Sequence, residues 1–270
     1  MMGVPLVASL YIELSWIQVA LAAGLVVVSG ILSIALRLGM EKSLMIASVR
    51  TVVQLSLIGV VLTWVFAVDK WYIVVLLMAF MTLTAGHAAL QRISRRYKGD
   101  WLDGVIAMGV STWTVLAYAV FVVLQDVDPW YRPQYTVPLM GMLLGNALNG
   151  VSLGIGRLGE ELVARRTQIE TLLALGATRW EAASESLRTA IRTGMTPITN
   201  AMMVVGLVSL PGMMTGQILA GAEPMHAVAY QIVIMFLIAA ATALGTVASV
   251  LLAYRRFFND RHQFEYWRLR

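Results

Sequence analysis

Apolar residues run for about 20 positions at a time along most of this chain, the length a helix needs to cross a bilayer. The runs lie near 14–36, 44–66, 71–90, 103–124, 138–158, 195–221 and 226–254. They predict an all-α integral membrane protein with about seven transmembrane helices, organised as a single transmembrane domain over residues 1–270. Between the runs, Pro129, Pro133 and Pro138 mark 125–138 as a loop, and Glu223-Pro224 marks a turn before the last span. The sixth run holds Pro197 and Pro211 with 13 residues between them, about 20 Å of helix, which is too short for a core of about 30 Å. That span is either kinked or discontinuous.

One polar stretch, 157–194, is much longer than the others, and it reads as a helix–turn–helix. Leu158, Leu162, Ile169 and Leu172 recur at helical spacing with Glu160, Glu161, Arg165 and Arg166 between them. Gly176 is placed to end this first helix, since glycine takes the left-handed conformation without a Cβ clash. Thr178 and Glu181 then fit the capping box T-x-x-E, in which hydroxyl and carboxylate satisfy free amides at a new helix start. Glu181 and Glu185 come early in the second helix and Arg188 and Arg192 late, as the helix dipole favours. The second helix is expected to end near Gly194.

Charge sets the orientation, because short cytoplasmic loops accumulate Lys and Arg. With Lys70 and Arg132 outside and Arg50 within a span, 17 of the 20 Lys and Arg residues fall on the inner side. This places the N-terminus outside, with loops 37–43, 91–102 and 157–194 and the basic tail 255–270 in the cytosol of a multi-pass cell-membrane protein. The net charge of +5 is then a topology signal with some attraction to anionic lipid, and no nucleic-acid partner is needed to explain it. The chain is 59% hydrophobic and 13% charged, far more apolar than a soluble domain requires. The first basic residue is Arg37, so a cleaved secretory signal is not expected, the first span is retained, and the mature chain is expected to start at Met1. There are no cysteines, which excludes disulfides and thiolate metal sites.

Several polar or flexible positions inside the spans are candidates for a pathway or its gate. Arg50 and Gln54, one helical turn apart, share a face; Arg50 either snorkels to the inner surface or lines and gates a path. Pro211 and Gly212 interrupt the sixth span and free the Leu207 carbonyl, which makes the neighbouring Met213, Met214, Thr215 and Gln217 substrate-contact candidates; Gly212 and Gly216 alternatively form a close helix contact. Of the 16 methionines, Met140 and Met142 join Met213 and Met214 as worth testing, although thioether is a soft ligand best matched to Cu(I) and most membrane methionines are filler. Gly141, Gly145, Gly150 and Gly154, with Asn146 and Asn149, describe a helix–helix contact, with a dimer axis as one setting for it. Oxygen donors at an outer mouth are Glu13, Asp126, Asp128 and Glu223. His87 and His226 are too isolated in sequence to define a metal site, His262 is in the tail, and the metal ligands stay undefined.

Three stretches, "RTVVQL" (50–55), "PLMGMLLGN" (138–146) and "LVSLPGMMTGQILAGAEPMHAVAYQIVIM" (207–235), resemble the FetB-type family of iron-export ABC permeases, to which plant aluminium-tolerance membrane proteins are related. The spacing of Glu170 and Gly176-Ala177 resembles the coupling motif of ABC permeases, with Pro197 further from Gly176 than that motif's usual proline. The resemblance implies that 157–194 is a cytosolic coupling segment, with Glu170, Leu173, Gly176, Ala177, Thr178 and Glu181 at the contact. It also implies a separate FetA-type ATPase partner, a permease homodimer and export of iron. The chain itself carries no Walker A loop: the nearest approach, Lys42-Ser43, has Glu41 where glycine belongs. A permease subunit that is not an enzyme and binds no cofactor, with ATP used by the partner, is the leading reading. A permease for a small organic cargo such as a nucleotide sugar, or an ATP-independent channel or carrier, stands beside it.

Overall fold

The computed structural model describes residues 15–93, 97, 99–125, 127–259 and 263–266. In chain order the helices are α1 (Trp16–Ala35), α2 (Glu41–Val68), α3 (Trp71–Gln91), α4 (Asp100–Tyr118), α5 (Pro133–Ala164), α6 (Arg166–Ala174), α7 (Arg179–Val204), α8 (Gly212–Leu219) and α9 (Pro224–Phe257), with a π-helical turn Ala119–Val123 extending α4. Six of these helices, α1 to α5 and α9, are long and apolar enough to cross a membrane. The sixth expected span, 195–221, is divided. The apolar end of α7 stops at Val204, an irregular segment follows, and α8 begins at Gly212. At the break the Gly206 N–H donates to the Ser209 carbonyl and the Leu207 N–H to the Val204 carbonyl, so the Met202 and Met203 carbonyls lose the partners a continuing helix would supply. Gly206 sits at φ +83°, and Pro211 has no N–H with which to extend α7. The discontinuous alternative is the one the chain adopts.

Three expected boundaries are corrected. The second hairpin helix does not end near Gly194: α7 runs on through Gly194 and Pro197 to Val204, because Gly194 is buried against a neighbouring helix and serves close packing there rather than a cap. The loop expected over 125–138 ends sooner. Pro133 opens α5 at its first position, where the missing N–H costs nothing, and Pro138 lies inside the helix. The first hairpin helix is not one piece either; residues 158–164 finish α5, and the chain turns at Arg165 (φ −100°, ψ 17°) before α6.

The chain falls into two compact units, residues up to 69 with 216–222, and 70–215 with 223–270. In the first, the Met40 N–H donates to the Ser33 hydroxyl at 3.0 Å, and that hydroxyl donates to Glu41 at 3.2 Å, tying α1 to α2. In the second, α5 is central and packs against α3, α4, α7 and α9. Its buried face repeats at three and four residues: Met140, Leu143, Ala147, Val151, Ile155, Leu158 and Leu162. Gly150 and Gly154 lie against Thr242, Thr246 and Val250 of α9, and Gly150 and Gly194 of α7 meet backbone to backbone. The Gly150 and Gly154 part of the small-residue face is thus used inside the chain, while a Cβ at Gly145 would meet nothing within 4 Å.

Candidate functional site

Two features of the second unit carry chemistry: the turn at 165–190 and a cleft beside the break after α7. The turn is built by local rules. In a paired C-terminal motif, the Gly176 N–H donates to the Leu173 carbonyl (3.1 Å) and the Ala177 N–H to the Leu172 carbonyl (3.0 Å), with Gly176 at φ +93°. The expected capping box is formed. Thr178 donates to Glu181 Oε2 through its backbone N–H and its hydroxyl, each at 2.8 Å, and the Glu181 N–H donates to the Thr178 hydroxyl at 3.3 Å. These bonds, the backbone N–H first and the hydroxyl second, hold the Glu181 carboxyl below its ordinary range. The cap is therefore complete above the usual carboxylate pKa and is lost as pH falls through the lowered value.

Ion pairs and aromatic contacts hold the turn in place. Glu161, buried on α5, sits between Arg157 and Arg165, and Arg165 also reaches Glu185 on α7. Glu170 is exposed and pairs with Arg166 at 2.8 Å. The chain after α9 folds back: Phe258 and Phe264 bridge, and their rings lie 5.3 Å apart. From there Tyr266 lies under the Arg166 guanidinium at 3.4 Å, and the Asn259 carbonyl accepts from Arg179 at 3.4 Å. At the tip, Leu175 is 80% exposed and Trp180 is 54% exposed, with one edge of its ring against Tyr254. Sequence reasoning named Leu173, which is half-buried, and missed Leu175 and Trp180, although each is a large apolar residue flanking a capped turn.

The cleft has a volume of about 590 Å³. Met202, Val205, Gly206, Leu210, Pro211 and Met214 form one wall, and Val228, Gln231, Ile232, Met235 and Phe236 of α9 form the other. Of the pathway candidates, only Pro211 and Met214 line it. Gly212 and Met213 are adjacent in the chain without lining it; Met140 is fully buried on α5 with Met142 nearby, and the Asn146 amide donates to the Met142 carbonyl at 3.0 Å. Arg50 and Gln54 are exposed on α2, and Gln217 belongs with them to the first unit. Gln231 was missed. It is a lone carboxamide in an apolar run, 8% exposed, and its Oε1 has no hydrogen-bond partner.

Among the described residues no three His, Cys, Asp or Glu side chains gather to hold a metal. His226 pairs with Glu223 at 3.7 Å and His87 with Gln91 at 2.9 Å; Glu13, Asp126 and His262 lie outside the described residues.

Residues 16–258 match the family described as "Uncharacterised protein family (UPF0014)". The chain is 42% identical to "UPF0014 membrane protein slr1647" of Synechocystis, over 93% of this chain and 97% of that one. It is 35% identical to the "Probable iron export permease protein FetB" of Escherichia coli (91% and 93% covered) and 33% identical to "Protein ALUMINUM SENSITIVE 3" of Arabidopsis thaliana (90% and 88%). No solved structure matches.

Proposed function

The chain belongs to the UPF0014 family of multi-pass membrane proteins, and on that premise we propose that it is the permease subunit of an ABC exporter. A separate ATPase hydrolyses ATP, and the cargo is iron or a related metal species. Two permease chains and two ATPase chains, the latter of the FetA type, make the working assembly. The 35% identical bacterial relative, named a probable iron export permease, supports the cargo. The observation that carries the coupling is the turn itself. A charged hairpin outside the six apolar helices is capped at both sides of Gly176, braced by Arg165 and the C-terminal segment, and tipped with exposed Leu175 and Trp180. Such an apolar tip on a rigid mount fits a groove on a partner protein. Glu170, Leu173, Gly176, Ala177, Thr178 and Glu181 would form or shape that contact.

Gly176→Val tests the coupling. Nothing lies within 4 Å of a Cβ placed at Gly176, so the substitution acts through its positive φ alone and costs about 1–2 kcal/mol locally. The spans stay folded. Expected outcomes are loss of ATPase pull-down and of metal-stimulated ATP hydrolysis in reconstituted vesicles, with an unchanged size-exclusion profile. Glu170→Lys should act in the same direction, while Glu160→Gln should not. Normal coupling in both Gly176→Val and Glu170→Lys would remove the docking reading.

The same reading requires the hairpin and the C-terminal segment to face the cytosol. Reporter fusions at Asp128 and Gln263 should report outside and inside respectively; the same side for both would sink the orientation.

A further inference from the structure

The cleft beside the α7 break asks what its walls would hold. Three methionines, Met202, Met214 and Met235, with Phe236 and Pro211, line the cleft together with one carboxamide residue, Gln231. A bare or hydrated divalent ion gains little here: burial of a charge against apolar walls is costly without paired charge, and thioether is a poor match for iron. A lipid chain would satisfy the apolar walls and leave Gln231 as it stands, with Oε1 buried and unpartnered, a state that buried polar groups rarely keep. The final torsion of a Gln side chain is soft, so the carboxamide can turn its carbonyl oxygen toward a donor in the cleft. Volume and lining match those of pockets for small organic molecules, where a few polar groups fix orientation within an apolar wall.

We propose that this cleft binds an uncharged, largely apolar organic molecule that donates one hydrogen bond to Gln231. As the substrate class of the exporter, this rests on the reading above: a metal ion would pass the cleft inside a neutral organic chelate. The break places the site well. α7 ties the cleft to the hairpin in one continuous helix from Arg179 to Val204, so displacement of the hairpin moves the Met202 side of the wall.

The test uses the full chain in phosphatidylcholine nanodiscs without any ATPase. Two photoactivatable probes are compared: a trifluoromethyl-diazirinyl benzyl alcohol, uncharged with one O–H donor, and its methyl ether, which lacks the donor. Adducts are mapped by peptide mass spectrometry. The alcohol should label peptides containing Met202–Met214 and Val228–Phe236 about fivefold more than the ether, the worth of one hydrogen bond. Gln231→Leu should bring the alcohol down to the level of the ether while thermal stability holds or rises, because an orphaned amide has been replaced by an apolar group. Gly176→Val should label like the wild type, which separates this result from the fate of the coupling reading. Equal labelling by the two probes, adducts spread as heavily over α1 and α2 as over the cleft, or an unchanged pattern in Gln231→Leu would each overturn the proposal; the second outcome would make the cleft a lipid groove.

Discussion

Gly194→Val is expected to leave no monodisperse protein after detergent extraction. A Cβ on Gly194 would stand 2.6 Å from the Gly150 carbonyl oxygen and 2.6 Å from Thr246 Cγ2. The first neighbour is backbone in the middle of α5 and cannot swing aside. Relief requires α7 to move off α5, which opens the packing of α9 as well, since Gly150 also leaves no room toward Thr246 and Thr242. Overpacking of this kind costs about 1–3 kcal/mol or more, and in a bilayer no hydrophobic force pulls separated helices back together. Gly194→Ala should show the cost alone, a loss of about 2 kcal/mol in spite of alanine's better helix propensity. Gly145→Ala, on the same α5 but with nothing within 4 Å, should be neutral or slightly stabilising. Thermal denaturation followed by fluorescence-detected size exclusion compares the three. Similar curves for Gly194→Ala and Gly145→Ala would mean that α5 and α7 do not meet here.

Arg256→Met is expected to destabilise by about 3–5 kcal/mol, and Asp103→Asn by clearly less. The two side chains form a two-point pair, Nε to Oδ2 at 3.1 Å and Nη2 to Oδ1 at 3.0 Å, joining the start of α4 to the end of α9. The asymmetry comes from burial. The Asp103 side chain is 4% exposed and the Arg256 side chain 43%. Removing the arginine strands a carboxylate away from water, whereas removing the carboxylate leaves a guanidinium that is already half hydrated. The Tyr97 ring, 5.1 Å from that of Phe257, closes the same corner. Arg256→Met combined with Asp103→Leu should recover much of the loss, because a buried pair replaced by apolar groups is often neutral. Thermal midpoints of the three variants decide it. If Asp103→Asn proves the more damaging, the pair is not what secures the C-terminal end of α9.

The spans and the turn were legible in the sequence because both rest on short-range physics. An apolar run of about 20 residues that crosses lipid is most simply a helix, since its backbone groups then pair within the run itself. The hydrogen bonds of Gly176, Ala177, Thr178 and Glu181 reach at most five residues along the chain, so a pattern on the page is nearly a structure. The same locality misled at Gly194 and Pro138, which read as ends by composition and proved to be interior to α7 and α5. Their neighbours across the interface, Gly150 for one, were not in view.

What the amino-acid sequence determined by itself is therefore the membrane class, about seven crossings, and a capped hairpin: features set by hydropathy over a span's length or by hydrogen bonds within one turn. Tertiary structure decided the rest. It divided the sixth span after Val204, turned the Gly150 face inward to Gly194, paired Asp103 with Arg256 across 153 positions, and set Gln231 beside three methionines in one cleft. Each of these depends on which helix faces meet, and between apolar helices in lipid that choice comes from close packing and a few polar contacts, which no single helix's periodicity contains.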